Sequence, residues 1–261
     1  METEEILGLY DRYERKDASF PRYQREEAGS VVRMIGSDGD PSLVTYSRLS
    51  DGEVDAAIER ELAYFKALGR GFEWKYYSHD IPDDLVDRLA AHGFAIGDEE
   101  AIMALDLDDF PAGSLADGPH DIRRVGSESA FADFAEVNAL AWPDDHHDAV
   151  WVASIKTTLF EDGERMSAYV AYVDGVPVCA SRIDFPEHSP FASLWGGATL
   201  EPYRRRGIYG AMLSVRAKEA ITRGYRFLTI DASPMSRPIA ASRGFRLLCL
   251  SRPCDSPGAK S

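Results

Sequence analysis

Apolar and polar positions alternate along the chain in short blocks, most of them with one apolar face. Ile6, Leu7, Tyr10 and Tyr13 share one side of a helix predicted over residues 2–16. Val31–Ile35 and Leu43–Leu49 read as strands joined by the turn S-D-G-D-P. Ile58, Leu62 and Phe65 predict a helix over Val54–Leu68, started by S-D-G-E and ended by Gly69–Gly71. An aromatic strand follows at Phe72–Tyr77, then a helix over Pro82–His92 with Gly93 after its end, then a strand at Ala101–Leu107. The later chain reads strand Asp121–Val125, helices Glu128–Ala141 and Ala149–Phe160, and a hairpin of Ser167–Val173 with Val176–Ile183 about Asp174-Gly175. Strand Ala192–Leu200 comes next. Helix Gly207–Arg223 turns Ile208, Ala211, Met212 and Val215 inward. Strand Tyr225–Ile230, helix Arg237–Arg243 and strand Arg246–Leu250 close the series. The order is β-α-α-β-β-β-α-β-α-β, which predicts a mixed α/β sheet.

Residues 111–119, P-A-G-S-L-A-D-G-P, lack any periodicity and read as a linker. The expected organisation is a domain over 1–110, a second over 120–251, and a loose tail over 252–261. A length of 261 residues suits two domains. There is also an internal echo. P-D-D-L-V-D-R-L-A-A-H-G-F from Pro82 and P-M-S-R-P-I-A-A-S-R-G-F from Pro234 both end in G-F after an aromatic-containing strand.

Charge narrows the partners. A net charge of −15 argues against nucleic acid and mildly favours a cationic small molecule. No apolar run approaches the ~18 residues of a membrane span. The acidic N-terminus lacks the basic region of a signal peptide, so a cytoplasmic location is expected, with no membrane partner. Cys179, Cys249 and Cys254 have no metal-like spacing and read as thiols. No metal site is expected.

Against this acidic background, Ala198–Leu213 (A-T-L-E-P-Y-R-R-R-G-I-Y-G-A-M-L) stands out. A strand ends, three arginines follow, and a helix begins between Gly207 and Gly210. Glycines allow close approach of the backbone. The first N–H groups of a helix have no intrahelical partner, and its positive dipole end faces the same place. Such a turn binds anions, pyrophosphate among them. G-x-G-x-x-G is absent, which disfavours a Rossmann site.

This stretch resembles the acyl-CoA loop of the GNAT superfamily of N-acetyltransferases, whose pattern is Arg or Gln, two residues, Gly, one residue, Gly or Ala. Arg204 fills the first place, Gly207 the fourth and Tyr209 the sixth. Tyr209 departs from the pattern, and Gly210 follows it. Ser233–Phe245 resembles the family's helix leading to a G-F turn, and the likeness spans Asp121 to Leu250. It implies a GNAT acyl-CoA N-acyltransferase fold in two tandem units, the first incomplete and without a CoA loop. It further implies pantetheine along the backbone of Ala198, Thr199 and Leu200, with pyrophosphate on Arg204, Arg205, Arg206, Gly207, Ile208, Tyr209 and Gly210. An N–H near Thr199–Leu200 would stabilise the oxyanion.

The family's acid and base are missing from their usual places. Its Tyr position holds Ala240, its Asn position Ser233, and Trp195–Thr199 contains no Glu. Replacement candidates are Asp231 at a strand end, Ser236, and His146 with His147. Each also has a plain structural reading: a turn, an N-cap and solvated surface, respectively. Trp142, Asp145 and Trp195 are candidates for the acceptor wall. The expected activity is acetyl transfer from acetyl-CoA to a primary amine of a small molecule. A CoA-binding sensor or pseudoenzyme is the alternative, and homodimerisation through the N-terminal half is left open.

Overall fold

The structure, a computed structural model, describes residues 1–20, 22–37, 40–110, 119–142 and 149–258. The chain forms two compact units: Met1–Ala104 with Asp231–Ser261, and Leu105–Ile230.

Unit 1 begins with α1 (Thr3–Tyr10), which runs into a π-helical turn at Asp11–Lys16. Strands β1 (Tyr23–Ala28), β2 (Val31–Gly36) and β3 (Ser42–Ser47) follow, then α2 (Val54–Ala67), β4 (Phe72–Tyr77) and α3 (Leu85–Ala91). Strands β5 (Ala95–Ile96) and β6 (Glu100–Asp106) come next, and β6 carries the chain into unit 2. In unit 2, β7 (Asp121–Arg124), α4 (Glu128–Ala141) and α5 (Ala149–Glu161) precede β8 (Met166–Val173), β9 (Val176–Asp184) and β10 (Phe191–Thr199). Then α6 (Ile208–Thr222) and β11 (Phe227–Ala232) return the chain to unit 1 for α7 (Arg237–Ser242) and β12 (Arg246–Asp255).

The strand order in unit 1 is β1-β2-β3-β4-β12-β6, with β5 also on β12. Only β3 and β4 are parallel there, over Ser42–Val44 with Phe72–Trp74. Val44, Ile58, Phe65, Phe72, Trp74, Leu85 and Cys254 build the core that α2 and α3 cover. In unit 2 the order is β11-β10-β9-β8-β7, with β10 and β11 parallel and the other pairs antiparallel.

One strand carries no signal in the sequence, and two expectations need correcting. Strand β1, Y-Q-R-E-E-A, carries no apolar alternation because it is an edge strand with charged side chains. The segment taken as a loose tail from residue 252 is still strand to Asp255, and Cys254 is fully buried opposite Trp74. Pro253 fits there because its neighbour is Gly97, where a Cβ would lie 2.7 Å from Pro253 Cγ. Finally, residues 231–251 do not complete the second unit. Strand β12 pairs with β4 and β6 and so belongs to the first. Of the expected linker, residues 111–118 lie outside the described residues.

The G-F echo is a shared helix stop. Phe94 N–H donates to Leu89 O at 3.1 Å and Gly93 N–H to Ala90 O; Phe245 N–H donates to Ala240 O at 3.2 Å and Gly244 N–H to Ala241 O. Gly93 and Gly244 have φ of 85° and 91°, a left-handed cap that glycine adopts without steric cost.

Candidate functional site in unit 2

The sheet of unit 2 has two covered faces. Met166, Ala168, Val170, Tyr172 and Ala180 pack with Phe131, Phe134 and Val137 of α4 and Ile155 of α5. The alternate positions meet α6: the Tyr169 hydroxyl donates to Glu219 at 2.6 Å, and the Ser181 hydroxyl meets Met212 Sδ at 3.8 Å. This is the period of two expected of strands with both faces buried.

The parallel register of β10 with β11 covers only Phe191–Ser193 with Phe227–Thr229. Strand β10 runs on to Thr199 against β9 alone, and its register there breaks between Trp195 and Ala198. Gly196 and Gly197 stand opposite the single residue Ser181, which is a β-bulge. Gly196 has φ 59°. A Cβ on Gly196 would meet Asn138 Oδ1 of α4 at 3.4 Å; one on Gly197 would meet Tyr209 at 3.3 Å and Arg216 Nη2 at 3.7 Å, both on α6. The bulge thus looks toward α4 through one glycine and toward α6 through the other.

Past the bulge, a 3₁₀ turn at Glu201–Tyr203 leads to the arginines. Arg205 and Gly207 both have positive φ, 61° and 83°. Left-handed residues on either side of Arg206 curl the backbone into a concave turn of the kind that gathers N–H groups. Helix α6 starts from Gly207 with no side chain capping it and no acidic residue in its first turn. Arg204 Nε donates to Thr199 O and Arg206 Nη2 to Pro202 O, each at 3.0 Å. These bonds brace the turn and leave the guanidinium charges uncompensated: among the described residues no carboxylate pairs with Arg204, Arg205 or Arg206, all of which are exposed. His120 Nε2 lies 3.3 Å from where a Gly207 Cβ would be, so it borders the same turn. Nothing in the sequence near His120 indicated this, because the contact joins segments far apart in the chain.

Of the two N–H groups expected near the oxyanion, that of Leu200 is spent and that of Thr199 is not given to β9. Leu200 N–H is already given to Val178 O at 2.9 Å. Thr199, one position earlier opposite Cys179, therefore directs its N–H and C=O away from β9. Its carbonyl takes Arg204, while its hydroxyl donates to Cys179 Sγ at 3.2 Å. The ladder register skips Gly196 and Gly197 at the bulge.

On the α4 side of the bulge, Trp195 is 40% exposed and Gly196 is exposed beside it, unusual for the interior of a central strand. The Arg182 guanidinium lies 5.5 Å from the Trp195 ring centre, and its Nε is 3.3 Å from Asp184 Oδ1. That is ion-pair range, yet neither buried atom has an aligned hydrogen bond. Burial pushes the Asp184 carboxyl above its ordinary pKa, with Arg182 pulling the other way. Asp184 pairs across the ladder with Ser193, whose hydroxyl accepts from Thr229 at 3.2 Å. Sequence reading missed Asn138, Arg182 and Asp184. The signal was the hairpin register about Asp174-Gly175, which sets even-numbered β9 residues on the α4 face.

Asp231 and Ser236 have partners of their own. Asp231 counts with unit 1, where its carboxylate pairs with Lys75 Nζ at 3.1 Å; Lys75 also holds Glu100 at 2.9 Å. Burial works against the Lys75 charge, and Asp231 leads the neighbours that outweigh it and raise its pKa. Asp231 is thus a committed ion-pair partner. Ser236 precedes α7 in unit 1, with its hydroxyl 3.2 Å from that of Ser233 in the helix-start turn. Trp142 ends α4 and is 40% exposed. Asp145, His146 and His147 lie outside the described residues. Among the described residues no group of three or more His, Cys, Asp or Glu is placed to hold a metal, and no helix is long and apolar enough to cross a membrane.

This fold is that of solved GCN5-related N-acetyltransferases. The likeness extends over nine-tenths or more of the chain. A GCN5-related N-acetyltransferase from Kribbella flavida is 18% identical and matches with a TM-score of 0.68, covering 98% of this chain and 94% of that one. A tandem GNAT protein from the clavulanic acid biosynthesis pathway is 15% identical, with a TM-score of 0.60 and coverage of 99% and 88%. A GCN5-related N-acetyltransferase from Sphaerobacter thermophilus is 13% identical, with a TM-score of 0.63 and coverage of 90% and 84%. No family model and no curated protein sequence matches the chain.

Proposed function

We propose that this chain is an acyl-CoA-dependent N-acyltransferase whose donor site is the Thr199–Gly210 turn of unit 2. The observation that carries this reading is the uncapped start of α6 at Gly207, flanked by three uncompensated arginines, directly after a strand that has parted from its parallel neighbour. The turn takes the pyrophosphate and the parted strand takes pantetheine. The bulged backbone of Gly196–Gly197 faces the thioester oxygen. Acetyl-CoA is the simplest donor and the probe of choice.

The acceptor is a small-molecule amine docked on the α4 side of the bulge. Electron-rich groups there are the Trp195 ring, Asn138 Oδ1 and the Asp184 carboxylate, with the Arg182 guanidinium beside the ring and the carboxylate. An alkylammonium suits them through cation–π and charge-assisted contacts. Positioning amine and thioester together can supply ~7–11 kcal/mol of the barrier, so a strong base is not required.

The test is Gly207→Asp. Its side chain meets His120, its left-handed φ is strained for Asp, and its charge repels phosphate. Acetyl-CoA affinity measured by calorimetry falls about 10-fold or more, ~1.4 kcal/mol. Unchanged affinity in a folded variant overturns the site.

A second reading, CoA binding without transfer, is favoured by Ala240 at the usual acid position and by the commitment of Asp231 to Lys75. Thiol release across a panel of amines separates the two. Saturable CoA binding with no turnover supports the sensor.

A further inference from the structure

Helix α6 buries an arginine. Arg216 is 1% exposed and lies on the buried stripe with Met212, Leu213, Ala217 and Ala220. Its Nε donates to Met212 O and its Nη1 to Arg182 O, both at 3.2 Å. A guanidinium carries five N–H donors, so these two bonds leave most of its capacity unused. Nη2 faces Gly197 of the bulge, and among the described residues it has no hydrogen-bond partner.

Among the described residues no negative charge answers it. The ionisable groups that face Arg216 are Tyr209, Cys179 and Tyr169. Burial raises the Cys179 and Tyr169 pKa values, which keeps both neutral. Glu219, one turn further along α6, is taken by Ser167, Tyr169 and Arg223 at 2.8, 2.6 and 2.8 Å. Burial alone works against the Arg216 charge and lowers its pKa, though an arginine stays protonated at neutral pH. A buried ion without a counter-ion carries a heavy desolvation penalty, which an anionic ligand would relieve.

We propose that Arg216 receives a carboxylate on the acyl group of the donor, so that the chain selects short dicarboxylic acyl-CoA esters such as succinyl-CoA. This rests on the donor-site reading above, which sets the thioester at Gly196–Gly197, and it refines the acetyl donor given there. Nη2 lies on the α6 side of Gly197, opposite the side toward Asn138 where the amine docks. Tyr209, the residue that departs from the family's loop pattern, stands beside it with its ring edge against the same glycine. The transfer step is unaltered. The amine nitrogen bonds to the acyl carbon, the C–S bond breaks, and the proton lost by nitrogen ends on the CoA sulfur.

The experiment compares succinyl-CoA with butyryl-CoA, which has the same acyl chain length without the carboxylate, by calorimetry on the full chain. Wild type binds succinyl-CoA at least about 10-fold more tightly. In Arg216→Met the ratio falls to near one; Arg216→Lys keeps part of it. Equal binding of the two esters by wild type overturns this inference alone, and so does a ratio that survives in folded Arg216→Met. If Arg216→Met does not fold, the wild-type comparison and Arg216→Lys still decide. Absence of binding by any CoA ester, acetyl-CoA included, overturns the donor site as well.

Discussion

Single residues in unit 2 do unlike work at one bulge. Gly196 and Gly197 are glycines for different reasons: the first takes φ 59°, while the second yields space to Tyr209 and Arg216. Asp184 shows how burial sets a residue's electrostatics. A carboxyl that burial makes easier to protonate when folded weakens the native state as pH rises from the unfolded pKa, about 3.9, through the folded one. Above that window the penalty is constant. Melting temperatures of wild type and Asp184→Asn across this range test it: the difference shifts in favour of the variant as pH rises. A difference independent of pH would show that Asp184 titrates as it does in the unfolded chain.

At the scale of elements, the two units treat a parting strand pair in opposite ways. In unit 1, β3 and β4 stop pairing after Val44 and Trp74, and the π-helical turn of the N-terminal segment reaches the next residue of β3. Arg15 Nε donates to Thr45 O at 3.3 Å, and the Thr45 hydroxyl donates to Arg15 O at 3.0 Å. The same guanidinium pairs with Asp80 at 2.5 Å and Asp11 at 2.6 Å and lies 3.8 Å from the Tyr77 ring centre. In unit 1 the place corresponding to the proposed pantetheine track is filled by the chain itself. The connection to α2 there is S-D-G-E, with no basic loop. Arg15→Met strands the buried Asp80 carboxylate and destabilises the protein by roughly 3–5 kcal/mol. Adding Asp80→Asn restores a large part of that loss. Denaturant melts of the single and double variants check it, and equal stability of the two would refute the coupling.

For the whole molecule, the C-terminal strand matters more than its sequence suggests. Arg252–Asp255 pair with Glu73–Tyr76 of β4, and Ser256 exchanges hydrogen bonds with Phe72, its hydroxyl taking the Phe72 N–H at 2.9 Å. Ending the chain at Ser251 deletes these bonds together with the buried Cys254. The expected loss is roughly 3 kcal/mol or more, a drop in Tm of about 6–12 °C. A truncated chain that melts with wild type would show residues 252–261 to be dispensable.

The sequence by itself determined the elements and the anion turn, because both rest on local rules. Helical and strand periods, the Asp174-Gly175 hairpin, the G-F caps and the R-R-R-G-I-Y-G turn each lie within a few consecutive residues. The edge strand β1 escaped because charged side chains erase the alternation that marks a half-buried strand. Tertiary structure alone decided what depends on pairing between distant segments. It assigned β12 to the first unit, committed Asp231 to Lys75 and spent Leu200 N–H on Val178. It also turned Arg216 inward to Gly197. A period shows which positions share a face, but only the packed sheet shows what that face meets.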